Sequence, residues 1–195
     1  MVRRVLLTGA AAVTTLAIAG ACSGTRGIDH GSPGQPMASA SSGGMHNSAD
    51  LAFARMMVSH HQQAVEMATL AQTRADDPEI KSIAAGVMSA QEPEIATITS
   101  WLAARGMPTA GAGHNMSRMP GMISDDEMTQ MKAATGVDFD RMFARMMIAH
   151  HKGAIQMCGN VTAEGADPQV KAFADTIEHA QSAEVAILQT ILDRL

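Results

Sequence analysis

The chain has 195 residues, a formal charge of −5 and 46% hydrophobic residues, enough for one globular domain with a buried core. A mildly acidic chain without basic tracts speaks against nucleic acid as a partner. Aromatics reach only 3% and tyrosine is absent, whereas methionine contributes 17 residues, and this composition favours an all-α protein.

Residues 1–21 read as a secretory signal. Arg3 and Arg4 form a basic start, residues 5–21 carry no charge, and Ala19, Gly20 and Ala21 precede Cys22. The apolar run is short and rich in glycine and alanine, which suits a cleaved signal better than a spanning helix. Small residues followed at once by cysteine predict a lipoprotein, with Cys22 lipidated and the chain anchored to the extracytoplasmic face of the cell membrane. An ordinary signal peptide with a cysteine nearby is the other reading, and the residues around Arg3 and Arg4 fit a twin-arginine signal poorly. Removing 21 of the 195 residues leaves 174, and losing two arginines moves the charge from −5 to −7. Cys158 is then the one remaining thiol, so no internal disulfide forms, and thioether and imidazole are the main soft ligands.

Residues 22–47 are rich in glycine, serine and proline and read as a flexible tether. They carry His30, Met37, Met45 and His46, a weak soft-ligand signal. Residues 48–195 form the predicted domain, and it is duplicated. Phe53-Ala-Arg-Met-Met-Val-Ser-His-His61 returns as Phe143-Ala-Arg-Met-Met-Ile-Ala-His-His151. At a gapless offset of 90, 17 of the 46 positions from 53 to 98 are identical to their partners, which chance does not produce.

Each repeat, about 49–105 and 138–194, reads as a helical hairpin. The first helix runs from about Ala49 to Arg74, with an inward stripe of Phe53, Met56, Met57, His60, Ala64, Met67 and Ala71. Asp77 followed by Pro78 starts the second helix, whose stripe is Ile80, Ile83, Val87, Gln91, Glu94, Ile98 and Leu102. It ends near Arg105, with Gly106 suited to the position just past the end. The second repeat predicts helices from Asp138 to Glu164 and from Asp167 to about Arg194. In the connection, 106–137, Ser124-Asp-Asp-Glu127 predicts a short extra helix with a capping box. The expected fold is an all-α, ferritin-like four-helix bundle built from two repeated hairpins.

Polar residues interrupt the stripes at His60, Gln91 and Glu94, and again at His150, Gln181 and Glu184. His60 lies about 16 residues before the turn, while Gln91 and Glu94 lie about 15 and 18 after it. At about 1.5 Å per residue the three reach nearly the same height. A pseudo-twofold arrangement would bring both sets into one layer. Buried polar groups need partners. One reading is a hydrogen-bond network that fixes helix register. The other is a metal site with imidazole and carboxylate ligands and glutamine behind them. His60 and His61 project about 100° apart, so one can face the layer while the other flanks it. Met56 and Met57 precede His60 and His61 by one turn, as Met146 and Met147 precede His150 and His151. Thioether with imidazole favours Cu(I), although core packing also explains methionines at these spacings. In the connection, His114, Met116, Met119 and Met122 fall in a run of glycine, proline and serine. A free loop has no core to fill, so these residues read as soft-ion ligands, with packing over the bundle end as the alternative.

The duplicated Met-Met-x-x-His-His-x-x-Ala-x-x-Met, the intervening Met119-Pro-Gly-Met122, and Ala90-Gln-x-x-Glu94-Ile ahead of Trp101-Leu102 resemble the domain of unknown function 305 over roughly residues 48–194. The resemblance implies a ferritin-like four-helix fold in a secreted or lipid-anchored bacterial protein, with copper binding in some members. It carries no di-iron site, because Glu66 becomes Gln156 in the second copy and the Gln-x-x-Glu pairs lack a following histidine.

The leading expectation is a binding protein that sequesters or hands on Cu(I) at the cell envelope. A ferritin-like dinuclear metalloenzyme using Glu94 and Glu184, and a structural or interaction module without metal, are the alternatives. Whether the protein is an enzyme, and whether it forms a homo-oligomer, stay open. No nucleophile–base pair or nucleotide fingerprint is present. Cys158 aligns with Ala68 and reads as a buried small residue.

Overall fold

The computed structural model describes residues 45–109 and 119–195. Cys22, the tether up to residue 44, His114 and Met116 lie outside the described residues. Among the described residues the elements are α1 (Ser48–Arg74), α2 (Pro78–Ala103), α3 (Asp125–Ala133), α4 (Gly136–Glu164) and α5 (Pro168–Arg194), with no strand. None of these helices is long and apolar enough to cross a membrane.

Local sequence sets the boundaries. Asn47 opens α1 with a capping box: its side chain accepts from the Ala49 and Asp50 amides at 2.9 and 3.1 Å, and Asp50 accepts from the Asn47 amide at 2.8 Å. Asp77 and Asp167 cap α2 and α5, each with proline at the first helical position. Ser124 and Glu127 form the capping box of α3, and the Ser124 hydroxyl holds the Glu127 carboxyl below its usual range. After α2 the chain turns at Gly106, whose φ of +66° is left-handed. α4 begins at Gly136, two residues before the expected Asp138, because Gly136 takes φ +62° and turns the chain into the helix early.

The four long helices form a bundle of two hairpins. α1 packs mainly on α2, α4 mainly on α5, and α1 against α4 makes the principal contact between them. α3 lies against α4. The hairpins also clasp each other reciprocally. Asp50 of α1 accepts from the Ala166 and Asp167 amides in the α4–α5 turn, at 3.0 and 3.1 Å. Asp140 of α4 accepts from the Asp76 and Asp77 amides in the α1–α2 turn, at 3.2 and 3.0 Å. Arg105 then grips Asp167 at 2.9 Å while stacking 3.9 Å over Trp101, and Arg194 grips Asp77 at 2.6 Å. The Arg194 guanidinium holds the Asp77 carboxyl below its usual range, whereas burial pushes that of Asp140 up.

The apolar core is divided in two. One half joins Ala64, Met67, Ile80, Val87, Phe139, Phe143 and Leu188; the other joins Phe53, Met57, Ile98, Leu102, Met157 and Ile177. Between the segments of α1 and α4 that supply these halves lie the two histidine pairs.

Candidate metal centre

The interruption at mid-height is a buried polar layer. His60, His61, His150 and His151 are each 0% exposed, and Gln91 and Gln181 are buried beside them in sequence register. His60 from α1 and His150 from α4 face each other across the hairpin interface, ring centroids 3.7 Å apart and planes 36° apart. His61 and His151 turn away from that pair, each into its own hairpin. His61 Nε2 donates to Glu94 at 2.8 Å and His151 Nε2 to Glu184 at 2.6 Å.

The stripes therefore assigned the wrong partner to the carboxylates. Glu94 and Glu184 bond the flanking His61 and His151 rather than His60 and His150. The reason is helix rotation. The 100° step between consecutive residues puts His61, not His60, toward α2, and the same holds for His151 toward α5. A dinuclear centre bridged by both carboxylates has no geometric support in this arrangement. Among the described residues no three His, Cys, Asp or Glu side chains are grouped to hold a metal ion by themselves. A metal at the layer would need thioether ligands or a shift of side chains.

The layer still has the chemistry of a cation site. His60 Nδ1, His61 Nδ1, both nitrogens of His150, His151 Nδ1, Gln91 Oε1 and Gln181 Oε1 are buried without a hydrogen-bond partner in the protein. Glu94, Glu184 and the Pro120 carbonyl can only accept, so Nε2 is the donor in His61, His151 and His60. A neutral ring then keeps its lone pair on Nδ1. Amide oxygens are acceptors too. Apart from the one N–H of a neutral His150, the unmatched atoms are all lone-pair donors. Each costs about 1–3 kcal/mol when left unmade. Burial, with the neighbouring His61, lowers the His60 pKa to about 3, and burial with the neighbouring His60 puts His150 well below its ordinary value. Both rings are neutral at pH 7, the form that binds a metal. Orientation of an imidazole by a carboxylate on its far nitrogen is the usual device behind a metal-ligating histidine.

The methionines divide. Met57 and Met147, one turn before His61 and His151, are fully buried, while Met56 and Met146 are half-buried against the apolar clusters. The loop expectation needs correction for Met119 and Met122. Met119 is only 7% exposed and Met122 is half-buried, so this stretch is packed rather than free. It is seated because Gly121, at φ +76°, comes against the Ala149 and His150 carbonyls, and Pro120 comes against Gly153. The Pro120 carbonyl accepts from His60 Nε2 at 3.1 Å. Gln63 closes the seat: its amide donates to the Ile123 carbonyl and accepts from the Ile123 amide, both at 2.8 Å.

Gln63 and Gly153 were not singled out by sequence reasoning, and Pro120 and Gly121 stood there only within the Met119-Pro-Gly-Met122 motif. A signal existed at one of them. Gly153 stands where the first repeat has Gln63, in mid-helix, where glycine costs about 1 kcal/mol relative to alanine and marks a close approach. Cys158 is fully buried as expected, with its thiol pushed up to about 12 by burial, and so is unreactive. A separate apolar cavity of about 290 Å³, lined by Phe53, Trp101, Phe173 and their neighbours, contains no histidine, cysteine, methionine or carboxylate.

A family model described as domain of unknown function (DUF305) matches residues 50–192. The chain belongs to the DUF305 family. A DUF305 protein from Streptomyces coelicolor, described as secreted, superposes with a TM-score of 0.71 at 28% identity, over 75% of this chain and 93% of that one. A DUF305 fragment from Deinococcus radiodurans gives a TM-score of 0.70 at 27% identity, over 76% and 98%. CopM in its Cu(I)-bound form gives 0.65 at 29% identity, over 74% and 96%; it is also solved in Cu(II)-bound, silver-bound and apo forms. No curated protein sequence matches the chain significantly.

Proposed function

We propose that this DUF305 protein binds Cu(I) outside the cytoplasm and sequesters it, held to the membrane through a lipidated Cys22. The observation that carries the reading is the histidine layer, where four buried imidazoles leave five ring nitrogens without a protein partner. A buried layer short of donors is stabilised by a cation. The buried thioethers of Met57 and Met147, one turn away, make a soft cation the better match. Likeness to CopM, solved with Cu(I), Cu(II) and silver, supports a metal of this class. The description of the Streptomyces relative as secreted supports an extracytoplasmic location. Met119 and Met122, and His114 and Met116 before them, would take up the ion ahead of the histidines. Gln91 and Gln181 would stand behind the ligands.

The test is Cu(I) titration against a competing chelator, with wild type and a variant carrying His60, His61, His150 and His151 all as alanine. At least a hundredfold loss of affinity is expected, because the far-nitrogen contacts and the ligands are removed together. Unchanged affinity and stoichiometry would remove the histidines from the reading. The His61–Glu94 and His151–Glu184 pairs favour a second reading, a polar layer that fixes helix register without metal. A wild-type protein that ignores added Cu(I) and silver supports that one.

A further inference from the structure

We propose that residues 119–123 form a strap that gates the histidine layer, with Gln63 and Gly153 as the positioning residues that hold it shut. The proposal rests on the Cu(I) reading and assigns that site its regulation.

The strap spans the hairpin interface beside the facing pair. It is tied to α1 at two places, His60 through the Pro120 carbonyl and Gln63 through the double hydrogen bond to Ile123. It is set against α4 through Gly121 and Gly153. A Cβ on Gly153 would stand 2.1 Å from the Pro120 carbonyl oxygen, and one on Gly121 would stand 2.7 Å from the Ala149 carbonyl. Neither glycine can carry a side chain without moving the strap. This close approach brings the Pro120 carbonyl to His60.

The duplication supplies an internal control. In the first repeat position 63 is a glutamine that reaches the strap; in the second the equivalent position is Gly153, over which the strap runs. The two copies have diverged at the position where one must bind the strap and the other must admit it. The consequence falls on the ligands. His60 has Nε2 committed to the strap, while neither His150 ring nitrogen bonds to it. The strap carries two thioethers close to the facing pair, Met119 buried and Met122 half-exposed. Entry to and exit from the facing pair require the strap to lift, and its bonds to Gln63 set the rate.

The test is transfer of Cu(I) from the full chain to a bathocuproine-type chelator, followed by stopped flow. Wild type is compared with Gln63→Ala, Gly153→Ala and the control Gly159→Ala, an exposed position with nothing within 4 Å of the added Cβ. Loss of the two Gln63 bonds should speed release about tenfold with stoichiometry unchanged. Gly153→Ala should do the same by displacing the strap, and Gly159→Ala should match wild type. In the metal-free protein, hydrogen exchange at the Ile123 amide should be slow in wild type and fast in Gln63→Ala. Release rates equal to wild type in Gln63→Ala and Gly153→Ala, with Ile123 exchange accelerated, would overturn the gate while leaving the copper reading intact. Lost stoichiometry at an unchanged release rate would also overturn it, since these residues would then build the site rather than gate it. A wild type that binds no Cu(I) fails both readings, and the stoichiometry of zero identifies that case.

Discussion

The two repeats bring the same residues to the layer and end in different states. His61 and His151 are equivalent: each is buried, each donates to a glutamate one helix away, and each keeps an unmatched Nδ1. His60 and His150 are not. The strap's hydrogen bonds all go to α1, so the His60 ring gains the Pro120 carbonyl and the His150 ring gains no strap hydrogen bond. The scaffold around them is again symmetric, with Asp50 and Asp140 each capping the other hairpin's turn. Symmetry belongs to the parts that hold the hairpins together, and asymmetry to the part that touches the candidate ligands.

Breaking the symmetric clasp should give the largest effect. Asp50→Ala leaves the Asn47, Ala166 and Asp167 amides without their acceptor, and Asp140→Ala leaves those of Asp76 and Asp77. Each variant should lose about 3 kcal/mol in urea unfolding, Asp50→Ala the more, since a charged acceptor is lost and the buried Asp167 or Asp77 amide is left unmatched. Equal and small losses would mean that helix packing alone holds the hairpins together.

The asymmetric pair separates by a smaller margin. In the metal-free protein, His150→Leu replaces a ring with two unmatched nitrogens by an apolar group and should be neutral or stabilising. His60→Leu also strips the Pro120 carbonyl of its donor and should be about 1 kcal/mol less stable than His150→Leu. Identical unfolding midpoints for the two variants would show that the strap bond contributes nothing.

Acid should sharpen the same contrast. His60 titrates near 6.5 when unfolded and at about 3 when folded, so the unfolded chain binds more protons between those values. The stability from keeping His60 neutral is present above pH 6.5 and is lost as the pH falls toward about 3. His150 acts in the same direction. Thermal midpoints of the metal-free wild type should fall over that window, and His60→Asn should flatten the slope.

The smallest effect lies on the surface. The Lys132–Glu66 ion pair links α3 to α1 at 2.7 Å with both side chains about half exposed, and the second repeat has Gln156 in place of Glu66. Glu66→Gln should cost only a few tenths of a kcal/mol in the same unfolding measurement, and less in high salt.

Much of this architecture follows from the chain read as a string. The gapless repeat, the Asp-Pro starts of α2 and α5, the Ser124 capping box and the interrupted stripes determine four long helices, one short one and a polar layer at a common height. Helical rise fixes height, and capping chemistry is local, so neither needs the tertiary structure. What the layer does with its residues was decided by tertiary packing. Spacing cannot set how far a helix is rotated about its axis, and that rotation sends His61 rather than His60 to Glu94 and lays His60 against His150. Nor can spacing show that a Gly/Pro connection comes back onto the bundle. Residues 119–123 find their seat only where Gly121 and Gly153 let two backbones approach within the space of a missing methyl group, a contact between chain segments 32 residues apart that no local pattern encodes.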